Sequence, residues 1–336
     1  MTSPRNSLNR RGFIRATSAA GLAAGLTRLP VFAASAAADI PIVDTHQHLW
    51  NLSTQNLPWL AGAPDVLKHS YGLPEYAQAT AGLNVIQAVY MEVDVAPEEQ
   101  VQEAETLLKI CRSGSAPTKA AVISGRPGSE GFADYIRPLS KNKEIRGVRQ
   151  VLHPPETQRG TCLQPQFMKS LNLLGELGLS FDLCMRPTEL EDGVIAARRC
   201  PGTRFIVDHC GNADPAAFLP AGAARDAAGH DAESWKGKIL RLAECQNVIC
   251  KISGIIARAP KDVPLVDALA PVINHCLDAF GPDRVIFGGD WPVCLLGGSY
   301  ADWVTTLRTV VAERPEADQK KLFHQNAQKF YGLAEV

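Results

Sequence analysis

The residues best suited to chemistry sit at opposite ends of the chain. Near the start, Ile42-Val43-Asp44-Thr45-His46-Gln47-His48 places two imidazoles two positions apart behind an apolar lead-in. On a strand, alternate side chains share a face, so His46 and His48 point one way with Asp44 behind them. Such a pair can hold one divalent cation, or aim two proton-carrying nitrogens at one bound molecule. A surface strand with two solvated histidines is the alternative reading of this segment alone. Much later, Asp208-His209 adds a third imidazole, and Gly288-Gly289-Asp290-Trp291-Pro292 adds a carboxylate. Together these groups suit a single divalent metal such as zinc. Without metal they still make a site, with Asp290 taking a proton from water while the imidazoles or Arg149 polarise a carbonyl.

Those groups can meet only if the elements between them bring the chain ends together. Apolar, β-branched runs recur after the first strand, at 85–93, 119–124, 145–152, 179–183, 203–208, 248–253 and 285–287. Helix-like stretches fill most of the gaps, at 98–112, 132–141, 165–177, 189–199, 235–244 and 265–280. Eight strands alternating with helices signal parallel βαβ units. One unit every 35 residues or so gives a total close to the roughly 250 residues of an eightfold barrel. An open doubly wound sheet would carry a glycine-rich loop after its first strand, and Thr45-His46-Gln47-His48 has no glycine. The expected fold is therefore α/β, a (β/α)8 TIM-type barrel.

In such a barrel the chemistry gathers where strands end on the carboxyl face. Those positions hold His46 and His48, then Glu92, Arg149 and Gln150, Asp182 and Arg186, Asp208 and His209, Lys251, and finally Asp290. Closure sets the eighth strand about 5 Å from the first, so Asp290 returns to the histidine pair. Arg149, Arg186 and Lys251 could bind a substrate carboxylate, although each is equally suited to a structural ion pair. Trp50, Trp59 and Trp291 flank the expected mouth, where aromatic faces suit a flat ring or a sugar; Trp59 is as readily a packing residue. His69, His230, His275 and His324 lie away from strand ends and are read as non-catalytic.

Of the 336 residues, 46% are hydrophobic and 21% charged, which suits a packed core. The net charge of −1 and the lack of a basic block argue against a nucleic-acid partner, leaving a small-molecule substrate. No apolar run past the amino terminus is long enough to span a bilayer, so no stable membrane association is expected. Residues 1–38 stand apart. Asn9-Arg10-Arg11-Gly12-Phe13-Ile14 precedes a weakly apolar, Ala/Gly-rich run ending near Ala34-Ser35-Ala36. A twin arginine, a modest apolar region and a small-residue exit describe a Tat-type export signal, and hence a periplasmic protein. Residues 39–336 are expected to form one domain. Nine cysteines without a CxxC pair indicate neither a zinc knuckle nor a disulfide framework.

Several segments carry a family resemblance. Asp44-Thr45-His46-Gln47-His48-Leu49-Trp50, Leu57-Pro58-Trp59-Leu60, Gly147-Val148-Arg149, Asp208-His209-Cys210-Gly211, Cys250-Lys251-Ile252-Ser253-Gly254, Phe287-Gly288-Gly289-Asp290-Trp291-Pro292, Asn326-Ala327 and Tyr331-Gly332-Leu333 resemble the amidohydrolase-related sugar and pyrone lactonases. That resemblance, over about residues 40–334, implies a distorted (β/α)8 TIM-type barrel, metal-dependent-hydrolase-like, that hydrolyses a cyclic ester. Asp290 would be the general base, while His46, His48 and His209 bind the carbonyl or a zinc ion; members of the family differ in their need for metal. Arg149 and Met185-Arg186 stand where a binuclear centre would need other ligands, which argues against one. The strand-four motif usually ends in histidine and here reads Gln150, with His153 three residues on as a partial substitute. Asn212-Ala213 replaces the usual Lys-Pro. Both changes lie at the rim and bear on the substrate more than on the reaction.

The favoured function is hydrolysis of a lactone of a sugar acid or an aromatic-derived acid by Asp-activated water. The first alternative is a zinc-dependent decarboxylase of the ACMS-decarboxylase type, for which Arg149 and Arg186 would clamp a carboxylate, or another ester or amide hydrolase. A non-catalytic periplasmic binding protein is the third, and the strand-eight aspartate speaks against it.

Overall fold

In a computed structural model describing residues 40–335, eight parallel strands follow one another round a ring. They are β1 (Ile42–Gln47), β2 (Val85–Met91), β3 (Thr118–Ser124), β4 (Ile145–Val151), β5 (Ser180–Cys184), β6 (Arg204–Val207), β7 (Val248–Ile252) and β8 (Val285–Phe287). Each neighbouring pair in sequence is hydrogen-bonded in parallel, from β1–β2 through β7–β8. This is the (β/α)8 barrel that the alternation predicts. The export signal expected at 1–38 lies outside the described residues.

The ring closes just past the regular strands. Gln47 pairs with Trp291, the His48 amide donates to the Trp291 carbonyl at 2.9 Å, and the Asp290 amide donates to the His46 carbonyl at 2.9 Å. Asp44 fastens the same seam. Its buried carboxylate accepts from the His46 amide (2.9 Å), the Gly289 amide (2.7 Å), Tyr76 Oη (2.8 Å) and Tyr300 Oη (3.0 Å). Four donors converging on one carboxylate are what make burying it tolerable.

Alternation divides the core. Val43, Val89, Met91, Val122, Ile206 and Ile286 point into the barrel, where Ala327 and Tyr331 of the closing segment pack against them. The opposite faces of the strands meet the helices Gln100–Arg112, Pro165–Glu176, Leu190–Arg199, Ala232–Glu244 and Leu265–Phe280. Among the differences from the sequence reading, one is a helix boundary and one a whole helix. The helix expected at 235–244 begins at Ala232 because Asp231 accepts from the Ser234 amide at 2.7 Å and caps it. A further helix, Tyr300–Val310, follows β8 behind a reciprocal Ser299–Asp302 capping box.

All nine cysteines are free and buried. Despite their scattered spacing, the fold brings the sulfurs of Cys210, Cys250 and Cys276 within 4.8 Å of one another, where β7 meets the turn after β6 and the helix Leu265–Phe280.

Candidate active site

His46, from β1, is fully buried on the barrel floor; His48, just past the strand, is 5% exposed. The two rings meet edge to face, 4.8 Å between centroids. His209 comes from the turn after β6, where the chain adopts left-handed backbone at His209 (φ 51°) and Cys210 (φ 52°). That turn folds His209 back over the mouth until its ring lies 4.4 Å from that of His46. Gly254 makes room for it: a Cβ there would fall 2.2 Å from His209 Nδ1, and the glycine itself has φ +69°. Asp290 is likewise left-handed (φ 54°), which carries its carboxylate off the end of β8 and over the floor.

The result is one carboxylate oxygen facing three imidazoles. Asp290 Oδ1 lies 3.6 Å from His46 Nε2, 3.4 Å from His48 Nε2 and 4.0 Å from His209 Nε2. These spacings exceed a hydrogen bond and approach the edge of about 3.4 Å expected for a tetrahedron of zinc ligands. The tautomers bear on the same point. His48 Nδ1 lies 3.0 Å from the Met91 carbonyl, an acceptor only, so it carries the proton and leaves Nε2 with a lone pair toward Asp290. His46 has a donor beside each ring nitrogen, Lys251 Nζ 3.2 Å from Nδ1 and Arg149 Nη1 3.2 Å from Nε2, so the neutral ring accepts from only one of them. A lone pair of His48 facing a carboxylate fits a cation between them. His46, His48, His209 and Asp290 thus form a donor set suited to one divalent metal.

The surrounding charges favour the same occupant. Glu92, Asp182, Asp208 and Asp290 set four carboxylates against two permanent cations, Arg149 and Lys251. Lys251 pairs with Asp182 at 2.8 Å and Asp208 at 3.0 Å. Burial pushes the Asp182 carboxyl up to about 7, while Lys251, His209 and Arg149 outweigh the burial of Asp208 and hold it below the ordinary carboxylate range. Burial, followed by the nearby Lys251, drives the His46 pKa well below the usual imidazole value, so this ring is neutral at neutral pH. Burial also lowers His209, against the opposing pull of Asp290 and Asp208.

Above this floor opens a cavity of about 300 Å³. His48, His209, Asp290 and Arg149 reach it, along with Trp50 and His153. Three residues expected to touch substrate are placed otherwise. Lys251 is fully buried beneath His46, consumed by its two aspartates. Arg186 binds Glu189 (2.8 Å) and the carbonyls of Pro154 (2.6 Å) and Thr157 (2.7 Å), so it braces the loop after β4. Trp291 is 2% exposed and packs edge-on to Tyr71 and Tyr76. Arg149 reaches the cavity but not as a free clamp, because Nε donates to Glu92 Oε1 at 2.6 Å and Nη2 to the Glu92 carbonyl at 2.7 Å. Its remaining Nη1 lies 3.2 Å from His46 Nε2.

Trp59, one of the three tryptophans expected at the mouth, lines the cavity wall. The cavity also recruits Arg258 at its rim, which the sequence reading passed over. Arg258 ends the short turn Ile255–Arg258, directly after the Lys251-Ile252-Ser253-Gly254 motif; that adjacency was the available signal.

Comparison with known proteins agrees with this architecture. The family model described as amidohydrolase matches residues 43–333. The chain is 26% identical to an L-fucono-1,5-lactonase from Burkholderia multivorans, covering 87% of this chain and 96% of that one. It is 25% identical to an L-rhamnono-gamma-lactonase from Scheffersomyces stipitis, covering 87% and 98%. A crystal structure of a B. multivorans amidohydrolase with bound zinc superposes with a TM-score of 0.75 at 24% identity, over 88% of this chain and 100% of that one, a likeness of fold.

Proposed function

The chain belongs to the amidohydrolase family, and from that premise we propose that it is a hydrolase that opens a lactone, with Asp290 as the base toward the attacking water. One observation carries the reading: a single carboxylate oxygen stands 3.4–4.0 Å from three imidazoles at the bottom of an accessible cavity. The lactonases among its relatives support the choice of a cyclic ester.

The lactone carbonyl lies over the floor with its oxygen toward Arg149 Nη1, whose fixed positive charge stabilises the oxyanion as the tetrahedral intermediate forms. A water on the Asp290 side attacks the carbonyl carbon and gives its proton to the carboxylate. When the ring C–O bond breaks, protonated Asp290 returns that proton to the departing alkoxide, leaving a hydroxy acid that ionises and releases acid to solvent. His46 stays neutral between Lys251 and Arg149 and keeps its ring fixed. His46, His48, His209 and Asp290 would hold a zinc ion, which when bound supplies a Lewis acid to the carbonyl. Trp50 and Trp59 keep bulk water from the ring.

A pH-indicator screen for acid release from a lactone library, with matched linear esters and amides, tests the reading with and without added zinc. Turnover confined to lactones is expected. Carbon dioxide release from carboxylated compounds, or binding without turnover across the panel, would contradict it.

A further inference from the structure

The walls of the cavity differ sharply from its floor. Trp50, Trp59, Val93, Pro154, Val293 and Leu296 supply an apolar enclosure. The donors these tryptophans carry are spent, Trp50 Nε1 on the His69 carbonyl (2.6 Å) and Trp59 Nε1 on the Val93 carbonyl (2.8 Å). Among the described residues, no serine, threonine or tyrosine lines the cavity. The one amide there, Asn212, donates to the Met185 carbonyl at 2.9 Å, and Asp94 is paired with Arg126 at 2.9 Å. A polyhydroxylated ring would lose its water here and find few partners for its hydroxyls, a cost of the kind that makes polar groups unwelcome in apolar sites.

One cation breaks this pattern. Arg258 is exposed at the rim, and among the described residues no carboxylate pairs with its guanidinium. Its polar neighbours are His153 in the same cavity, then Arg186, Asp214 and His230 around the adjoining cleft. Asp214 is directed elsewhere, its Oδ1 accepting from the Ala216 amide at 2.9 Å, and Arg186 is held by Glu189. Arg149, which also lines the cavity, is already matched by Glu92. Of the two arginines on the cavity, Arg258 alone has no carboxylate partner among the described residues.

We propose that the substrate is a lactone with a flat, apolar ring bearing one carboxylate, and that Arg258 binds this carboxylate while Trp50 and Trp59 enclose the ring. The inference rests on the lactone-hydrolase reading for its chemistry, but the subsite it describes is a binding site in its own right. A guanidinium can meet a carboxylate with two parallel N–H···O bonds, which gives orientation as well as affinity. Held at the rim by its acid group, the ring would present its ester to Asp290.

The test compares three lactones: phthalide, 3-carboxyphthalide and glucono-1,5-lactone. The wild-type order of kcat/KM should be 3-carboxyphthalide, phthalide, then glucono-1,5-lactone. In Arg258→Met the ratio of kcat/KM between the first two should fall about fivefold, through KM, the upper size expected for one rim ion pair. Preference for the sugar lactone, or an unchanged ratio, would overturn the proposal. Binding is read separately from turnover by tryptophan fluorescence with indane-1-carboxylate and the alcohol indane-1-methanol, neither of which carries an ester or amide bond. Wild type should favour the acid by about fivefold and Arg258→Met should not. Equal affinities in wild type would sink the subsite. A retained preference without hydrolysis of any lactone would instead sink only the reaction.

Discussion

Arg149 offers the sharpest separation of structure from catalysis. Its side chain is 4% exposed and Glu92 is fully buried, joined by contacts of 2.6 and 2.7 Å. Arg149→Met would leave the Glu92 carboxylate in the barrel without its counter-charge, although Oε2 would keep the Asp94 amide at 2.7 Å. Breaking a buried pair from one side costs about 3–5 kcal/mol, a large part of an ordinary domain's stability. Adding Glu92→Gln removes the stranded charge, so the double variant should recover all but about 1–2 kcal/mol. Urea unfolding of wild type, both single variants and the double variant measures this coupling directly. Turnover should behave differently. Both variants lacking Arg149 lose the donor to the oxyanion, and kcat should fall about 10²–10³-fold in each. A loss of less than about 1 kcal/mol in Arg149→Met would refute the ion-pair reasoning. Recovery of kcat along with stability in the double variant would refute the oxyanion role.

Gly254→Ala should cost about 1–3 kcal/mol, because it combines left-handed backbone with a Cβ 2.2 Å from His209 Nδ1. It should also lower kcat at least about tenfold by displacing that ring, and unchanged turnover would show that the ring's position is unimportant. His153 is held down to about 4 by burial and then by Arg258, so the unfolded chain takes up a proton below about pH 6.5 that the folded chain refuses. Stability from this residue is complete above pH 6.5 and lost as the pH falls toward 4, by up to about 3 kcal/mol. His153→Gln should therefore narrow its deficit, or gain on wild type, between pH 7 and 4.5 in thermal unfolding; parallel curves would refute the linkage.

Much of this arrangement was legible before the structure because periodicity and position carry the barrel's logic. The β-branched runs located all eight strands, and strand order alone required Asp290 to come back to His46 and His48. What remained hidden depended on side-chain partners. Lys251 looks in sequence like a cation at a strand end, yet alternation points it beneath His46, where Asp182 and Asp208 consume it. Arg186 resembles a substrate clamp until the carbonyls of the loop after β4 close around it. Trp291, expected at the mouth beside Trp50 and Trp59, is buried because the long segment after β1 folds over it with Tyr71 and Tyr76, a path that loop composition does not specify. The helix Tyr300–Val310 was readable from Ser299 and Asp302 and was passed over; the meeting of Cys210, Cys250 and Cys276 was not readable from spacing at all.

The central claim is that ring closure delivers one carboxylate to three imidazoles so that it can move the proton of the attacking water. The direct measurement is the steady-state rate of acid release from the best lactone substrate by Asp290→Asn, beside wild type with the same circular dichroism and unfolding midpoint. Loss of the base should reduce kcat by about 10²–10⁴-fold. A folded Asp290→Asn enzyme that opens the lactone at the wild-type rate would contradict the account.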